Sequence, residues 1–194
     1  MSRFRPWRLC RHTPSRCRFL PDGQMRVSHF LNKTATMKRC KTLEETIQFG
    51  EQLGKILHSG DVIALRGHLG IGKTQLVHGI AKTYLKSDDI HVCSPSFTII
   101  NRYEANGRAI HHLDLYRLST LEELESTGYW DVIEDPDALI LIEWLEQVDR
   151  AQPIDFVTID IHFEDENGDL SSSARLFDIV GSGELYERMR GLFV

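Results

Sequence analysis

Residues 67–74, Gly-His-Leu-Gly-Ile-Gly-Lys-Thr, constrain this chain more than any other stretch, because they fit G-x-x-x-x-G-K-[ST] between an apolar run and a helical pattern. Residues 61–66 follow the turn signal Ser59-Gly60 and read as a buried strand. Gly67, Gly70 and Gly72 let the backbone fold tightly and turn its N–H groups inward. Lys73 then opens a helix whose N-terminal dipole favours an anion. That helix, roughly 73–85, carries Leu76, Val77, Ile80, Ala81 and Tyr84 on one face, the stripe of a core-facing element. The guest implied is phosphate, with Lys73 reaching the outer phosphates and the Thr74 hydroxyl ligating magnesium. A Gly-rich turn with a chance lysine is the alternative, and it would not need a strand before it and an amphipathic helix after it.

Charge divides the chain. Eight Arg and two Lys against the single acid Asp22 give residues 1–40 a net +9, whereas the remaining 13 basic and 27 acidic residues leave 41–194 at −14. The first segment also holds Pro6, Pro14 and Pro21 and no sustained apolar period, so it is expected to be a disordered arm outside the fold. Three readings of it stay open: an organelle leader, a basic RNA-binding tail, or residues ahead of a true start at Met37. Residues 41–194 suit one domain of ordinary size, and no apolar run approaches the ~18 residues that a membrane span needs. Cys10, Cys17, Cys40 and Cys93 lack the close paired spacing of a zinc site, which points to a reducing compartment and a cytoplasmic protein, with organelle import if the arm is a leader.

Thr42 and Glu45 are spaced as a capping box, and Leu43, Ile47, Gly50, Leu53 and Leu57 predict a first helical face. After the P-loop helix, residues 91–103 read as a loop entering a strand. Asn106-Gly107 marks a hairpin into a strand at 109–116, and a short helix is predicted over 121–126. Residues 138–142, Ala-Leu-Ile-Leu-Ile, form a continuous apolar run, as in the centre of a parallel sheet. Alternation over 156–163 and 174–180 about Asn167-Gly168 predicts a second hairpin, followed by a helix over about 183–192. The fold class is therefore α/β and P-loop NTPase-like: a mostly parallel central sheet flanked by helices, with antiparallel hairpins.

A P-loop alone hydrolyses nothing, so an acid is needed at the end of a second buried strand. Glu143 ends the 138–142 run, where an acid would hold magnesium opposite Thr74. Asp114, between Leu113 and Leu115, is a second candidate, although spacing alone also allows a solvated edge position. Ser96 and Thr98 would bring hydroxyls from a switch-like loop. His111 and His112 are adjacent on a strand, so they point to opposite faces and do not share an ion.

Taken in order, residues 67–74, then Ser94-Pro95-Ser96-Phe97-Thr98, then 112–118 (HLDLYRL), then Ile142-Glu143-Trp144-Leu145-Glu146, resemble the bacterial TsaE (YjeE) family over about 42–180. The resemblance implies an ATP-binding and slowly hydrolysing subunit, required with TsaD and TsaB for threonylcarbamoylation of the adenosine beside the tRNA anticodon. On this reading tRNA is expected to be met indirectly, through that complex, and no membrane is expected. The resemblance further implies that Gly70, Ile71, Gly72, Lys73 and Thr74 wrap the phosphates of ATP, that Leu69 and Gln75 also bind the nucleotide, and that Thr74 and Glu143 hold Mg2+. Lys73, Asp114 and Glu143 would serve hydrolysis, Ser96 and Thr98 would sit in the switch-like loop, Trp144 would lie beside the nucleotide or the partner surface, and Leu43 would flank the base. The chain departs from the family's common pattern at His68, Ile71 and Ser96, where an acid, Ala and Thr are usual; Ser96 keeps a hydroxyl, while His68 removes a negative charge near the phosphates.

Two other classes stay in view. A nucleotide-gated binding module without useful hydrolysis would use the same loop to shape a docking surface, and an acidic domain suits a basic partner. A small-molecule P-loop kinase would need an acceptor pocket and an arginine-bearing lid, and no lid-like insertion interrupts the pattern.

Overall fold

The computed structural model describes residues 37–164 and 174–193. The basic arm before Met37 and the Asn167-Gly168 turn lie outside the described residues. Within them the chain runs β1 (Met37–Cys40), α1 (Leu43–Gly54), β2 (Val62–Arg66), α2 (Lys73–Tyr84), β3 (Ile100–Ala105), β4 (Arg108–Asp114), α3 (Leu121–Ser126), α4 (Tyr129–Ile133), β5 (Ala138–Glu143), β6 (Val157–Phe163), β7 (Arg175–Val180) and α5 (Gly183–Arg190). The strands make one sheet in the order β1-β7-β6-β2-β5-β4-β3. Its centre is parallel, β6 to β2 to β5 to β4, and the antiparallel partners β3, β7 and β1 complete its edges.

Alternation along the central strands divides the core into two layers. Ile63 and Leu65 of β2, with Leu139 and Leu141 of β5, face one cluster with Phe49, Leu76, Ile80 and Phe177. Val62, Ala64, Ile140 and Ile142 face the other, with Leu113, Leu124 and Tyr129. Because β5 is covered on both faces, all six of its residues are buried, which is why its sequence is a run rather than an alternation.

The first layer depends on a close helix crossing. A Cβ at Gly79 of α2 would lie 2.1 Å from the Ile47 carbonyl oxygen of α1, and one at Gly50 would lie 2.5 Å from that of Leu76. Only glycine lets the two backbones approach this far. The crossing also turns α1 relative to its expected face: Thr46, Phe49, Gly50, Leu53 and Gly54 are buried, while Leu43 is left 44% exposed. Thr42 caps α1 by accepting from the Glu45 N–H at 3.1 Å, but the Glu45 carboxylate bonds the Lys41 N–H at 2.6 Å. The reciprocal box occurs instead at Thr120 and Glu123 of α3.

Two features depart from the sequence reading. The fold does not begin after residue 40: Met37–Cys40, assigned by charge to the arm, pairs antiparallel with β7 as the edge strand β1. Basic side chains are an ordinary way to blunt an exposed sheet edge, so charge concealed a strand. Helix α4 was not expected, since five residues after Gly128 are too short to carry a period. Among the described residues no helix is long and apolar enough to cross a membrane.

Candidate nucleotide site

Three parallel strands end together. In register, Leu65 of β2 stands beside Glu143 of β5, and Glu143 stands beside Asp114 of β4. The crevice beyond the carboxyl ends of such strands is where open α/β sheets place ligands. Here it is a cavity of about 250 Å³ lined by Leu69, Gly70, Gly72, Lys73, Thr74, Gln75, Ser94, Ser96, Asp114, Tyr116, Glu143 and Trp144.

The P-loop forms one wall. Gly70 (φ 77°) and Gly72 (φ 115°) occupy left-handed conformations that let the loop curl before α2 begins at Lys73. Arg175 Nε of β7 donates to the Ile71 carbonyl at 2.8 Å, fixing the loop from beneath. The Lys73 ammonium donates to the carbonyls of Gly67 at 2.8 Å and His68 at 3.2 Å and lies 4.1 Å from the centre of the Trp144 ring. Burial pushes its pKa below the ordinary lysine range, and the carboxylates of Glu143, Asp114 and Glu146 oppose that shift.

Glu143 forms the floor. The Thr74 hydroxyl donates to Glu143 Oε1 at 3.0 Å, and His112 Nε2 lies 3.0 Å from the same oxygen. Thr74 and Glu143 are hard oxygen donors at the foot of a phosphate loop, a set that fits magnesium, whose remaining positions are ordinarily taken by phosphate oxygens and water. Among the described residues no group of three or more His, Cys, Asp or Glu is arranged as a metal cage.

The opposite wall is a loop tied to Asp114. The hydroxyls of Ser94 and Ser96 approach Asp114 Oδ2 at 2.6 and 2.7 Å, and the Tyr116 N–H reaches Oδ1 at 3.1 Å. Trp144, at φ 61°, turns the chain after β5 so that its ring meets Tyr116 at 5.0 Å and covers Lys73. Farther out, Phe97 is 84% exposed and carries the Arg117 guanidinium 4.3 Å from its ring centre.

Most residues expected from sequence therefore converge on one cavity. Ile71 does not line the cavity: its side chain is fully buried and its carbonyl accepts from Arg175. Leu43 lies beside the end of the P-loop, 3.9 Å from where a Cβ on Gly72 would stand. Thr98 is not brought in: its hydroxyl donates to Asn101 Oδ1 at 2.8 Å. Ser94, Tyr116, His112 and Arg175 were not singled out as site residues. Ser94 and Tyr116 stood inside the quoted motifs, whereas the contacts of His112 and Arg175 depend on strand register and carry no local signal. The two histidines do face opposite ways, His111 to Asp135 at 2.9 Å and His112 to Glu143.

A strand, a glycine loop closed by its own lysine, and a helix whose threonine meets an acid from the neighbouring parallel strand define a P-loop nucleotide-binding protein. Within that class the chain belongs to the TsaE family: the family model described as threonylcarbamoyl adenosine biosynthesis protein TsaE matches residues 40–173. A Nostoc protein called tRNA threonylcarbamoyladenosine biosynthesis protein TsaE is 38% identical over 125 residues, 63% of this chain and 75% of the relative. Its namesake in Aquifex aeolicus is 34% identical over 124 residues, 64% of this chain and 84% of the relative. The crystal structure of the Bacillus protein YdiB superposes with a TM-score of 0.61 at 26% identity, covering 80% of this chain and 92% of that one.

Proposed function

We propose that this chain is the ATP-binding and ATP-hydrolysing subunit of tRNA threonylcarbamoyladenosine biosynthesis, slow alone and working with TsaD and TsaB homologues. The contact between Thr74 and Glu143 at 3.0 Å carries the reading, because it joins the phosphate loop to an acid on a second strand. Family membership supports the pathway.

In this reading the P-loop amides and Lys73 neutralise charge on the phosphates, most of all as it grows in the transition state. Thr74 and Glu143 would hold Mg2+, which would supply positive charge against the phosphates. Asp114 would orient the attacking water and accept its proton, after its present serine partners give way. The net −14 of residues 41–194 disfavours a direct grip on tRNA phosphates, so tRNA is met through the complex. The protein would work in the cytoplasm, or in an organelle if the basic residues before Met37 act as a leader.

A nucleotide-gated binding module is the second reading, and the capture of Asp114 by Ser94, Ser96 and the Tyr116 amide favours it. Reconstituted threonylcarbamoylation with TsaD and TsaB homologues separates the two. An ATPase subunit is required for repeated turnover, and its Glu143→Ala variant fails to support it. If Glu143→Ala sustains full turnover wherever ATP still binds, hydrolysis is dispensable and the binding module is correct.

A further inference from the structure

His112 is fully buried on β4, on the layer that also holds Ile110. Its Nδ1 has no partner among the described residues, and a buried polar atom left unpaired costs about 1–3 kcal/mol. An apolar side chain in this layer would avoid that cost. What the histidine supplies in return is at its other nitrogen, 3.0 Å from Glu143 Oε1.

We infer that His112 is a positioning residue for the metal-binding carboxylate, with Nε2–H donating to Glu143 so that the second oxygen is held ready for magnesium or its water. This rests on the reading of Thr74 and Glu143 as the magnesium pair. The terminal torsion of a glutamate is broad and roughly twofold, so packing of its stem does not fix where its oxygens point. Thr74 and His112 both engage Oε1, from α2 and β4 respectively, and together they set the plane of the group. Thr74 would itself be a metal ligand. His112 would not, and it therefore acts on the metal only through Glu143, as outer-shell partners do.

The test compares wild type with His112→Gln, His112→Asn and His112→Leu, with thermal melts to confirm folding. A glutamine amide reaches the place of Nε2, whereas an asparagine amide stops near that of Nδ1. Affinity for a non-hydrolysable ATP analogue is measured with Mg2+ and with chelator. All folded variants are expected to match wild type within about twofold in chelator. With Mg2+, Leu and Asn should lose about tenfold or more of the metal-dependent gain, on the scale of outer-shell substitutions, and Gln should recover most of it. Equal Mg2+ dependence in every variant overturns the inference, as does an equal loss with and without metal, which marks a packing role. If Leu does not fold, the contrast between Gln and Asn decides alone. A wild type whose binding ignores Mg2+ instead removes the Thr74 and Glu143 metal reading, and the role of His112 falls with it.

Discussion

The two walls of the cavity are built differently. On the P-loop side the groups that would meet phosphate are backbone N–H donors and the buried Lys73, and Arg175, α1 and α2 hold them in place. On the other side Asp114 is equally buried, but the groups that occupy it are two serine hydroxyls from a loop that also carries the exposed Phe97. Backbone anchored in a packed core has one arrangement. Ser94 is exposed and Ser96 half-buried, so water can take over their bonds to Asp114, and the second wall is the one that can be reset. The contrast teaches that binding should be a property of the folded chain alone, and hydrolysis a property of how the loop is placed.

Breaking the first wall should have the largest effect. Lys73→Ala removes the buried cation and is expected to lower ATP affinity by about tenfold to a hundredfold, the loss of one or more hydrogen bonds to a charged group, read by calorimetry. Gly79→Ala forces a Cβ toward the Ile47 carbonyl and should destabilise the domain by about 3 kcal/mol. A melting temperature lower by roughly 5–10 °C would report it.

Loosening the second wall should be milder and of another kind. Ser94→Ala with Ser96→Ala leaves Asp114 without its loop partners. Partner-stimulated turnover should change by about tenfold, while affinity and melting temperature stay near wild type, since each bond is worth at most a few kcal/mol. The smallest effect is in thiol labelling. Cys93 is exposed near the start of this loop, and its alkylation rate should shift a few-fold when ATP binds. Cys40, whose thiol burial raises to about 11, should stay unlabelled at neutral pH in both states, as peptide mass spectrometry would resolve.

The same contrast governs what could be read from sequence. Residues 67–74 announce themselves because loop, strand and helix are contiguous, and Glu143 follows because an apolar run ending in an acid is a local pattern too. Asp114 could be nominated but not placed, since its pattern fitted an edge strand equally well. The register of β4 against β5 puts it next to Glu143. Thr98 and Ser94 are both loop hydroxyls in one motif, and only the turn of the chain sends one to Asn101 and the other to Asp114. Pairings such as His112 with Glu143, 31 residues apart, have no signature in a single sequence. The edge strand β1 was hidden for a different reason, because its basic residues satisfied the arm's charge pattern as well as the needs of an edge.

The most direct test measures ATP binding and ATP hydrolysis side by side, with TsaD and TsaB homologues present, for wild type and Glu143→Ala. Glu143→Ala should abolish stimulated hydrolysis, by about a hundredfold or more, while ATP is still held by the P-loop wall. Hydrolysis that survives the substitution, or binding that disappears with it, would contradict an account in which the P-loop wall holds ATP and Glu143, on the floor beside it, is needed for turnover.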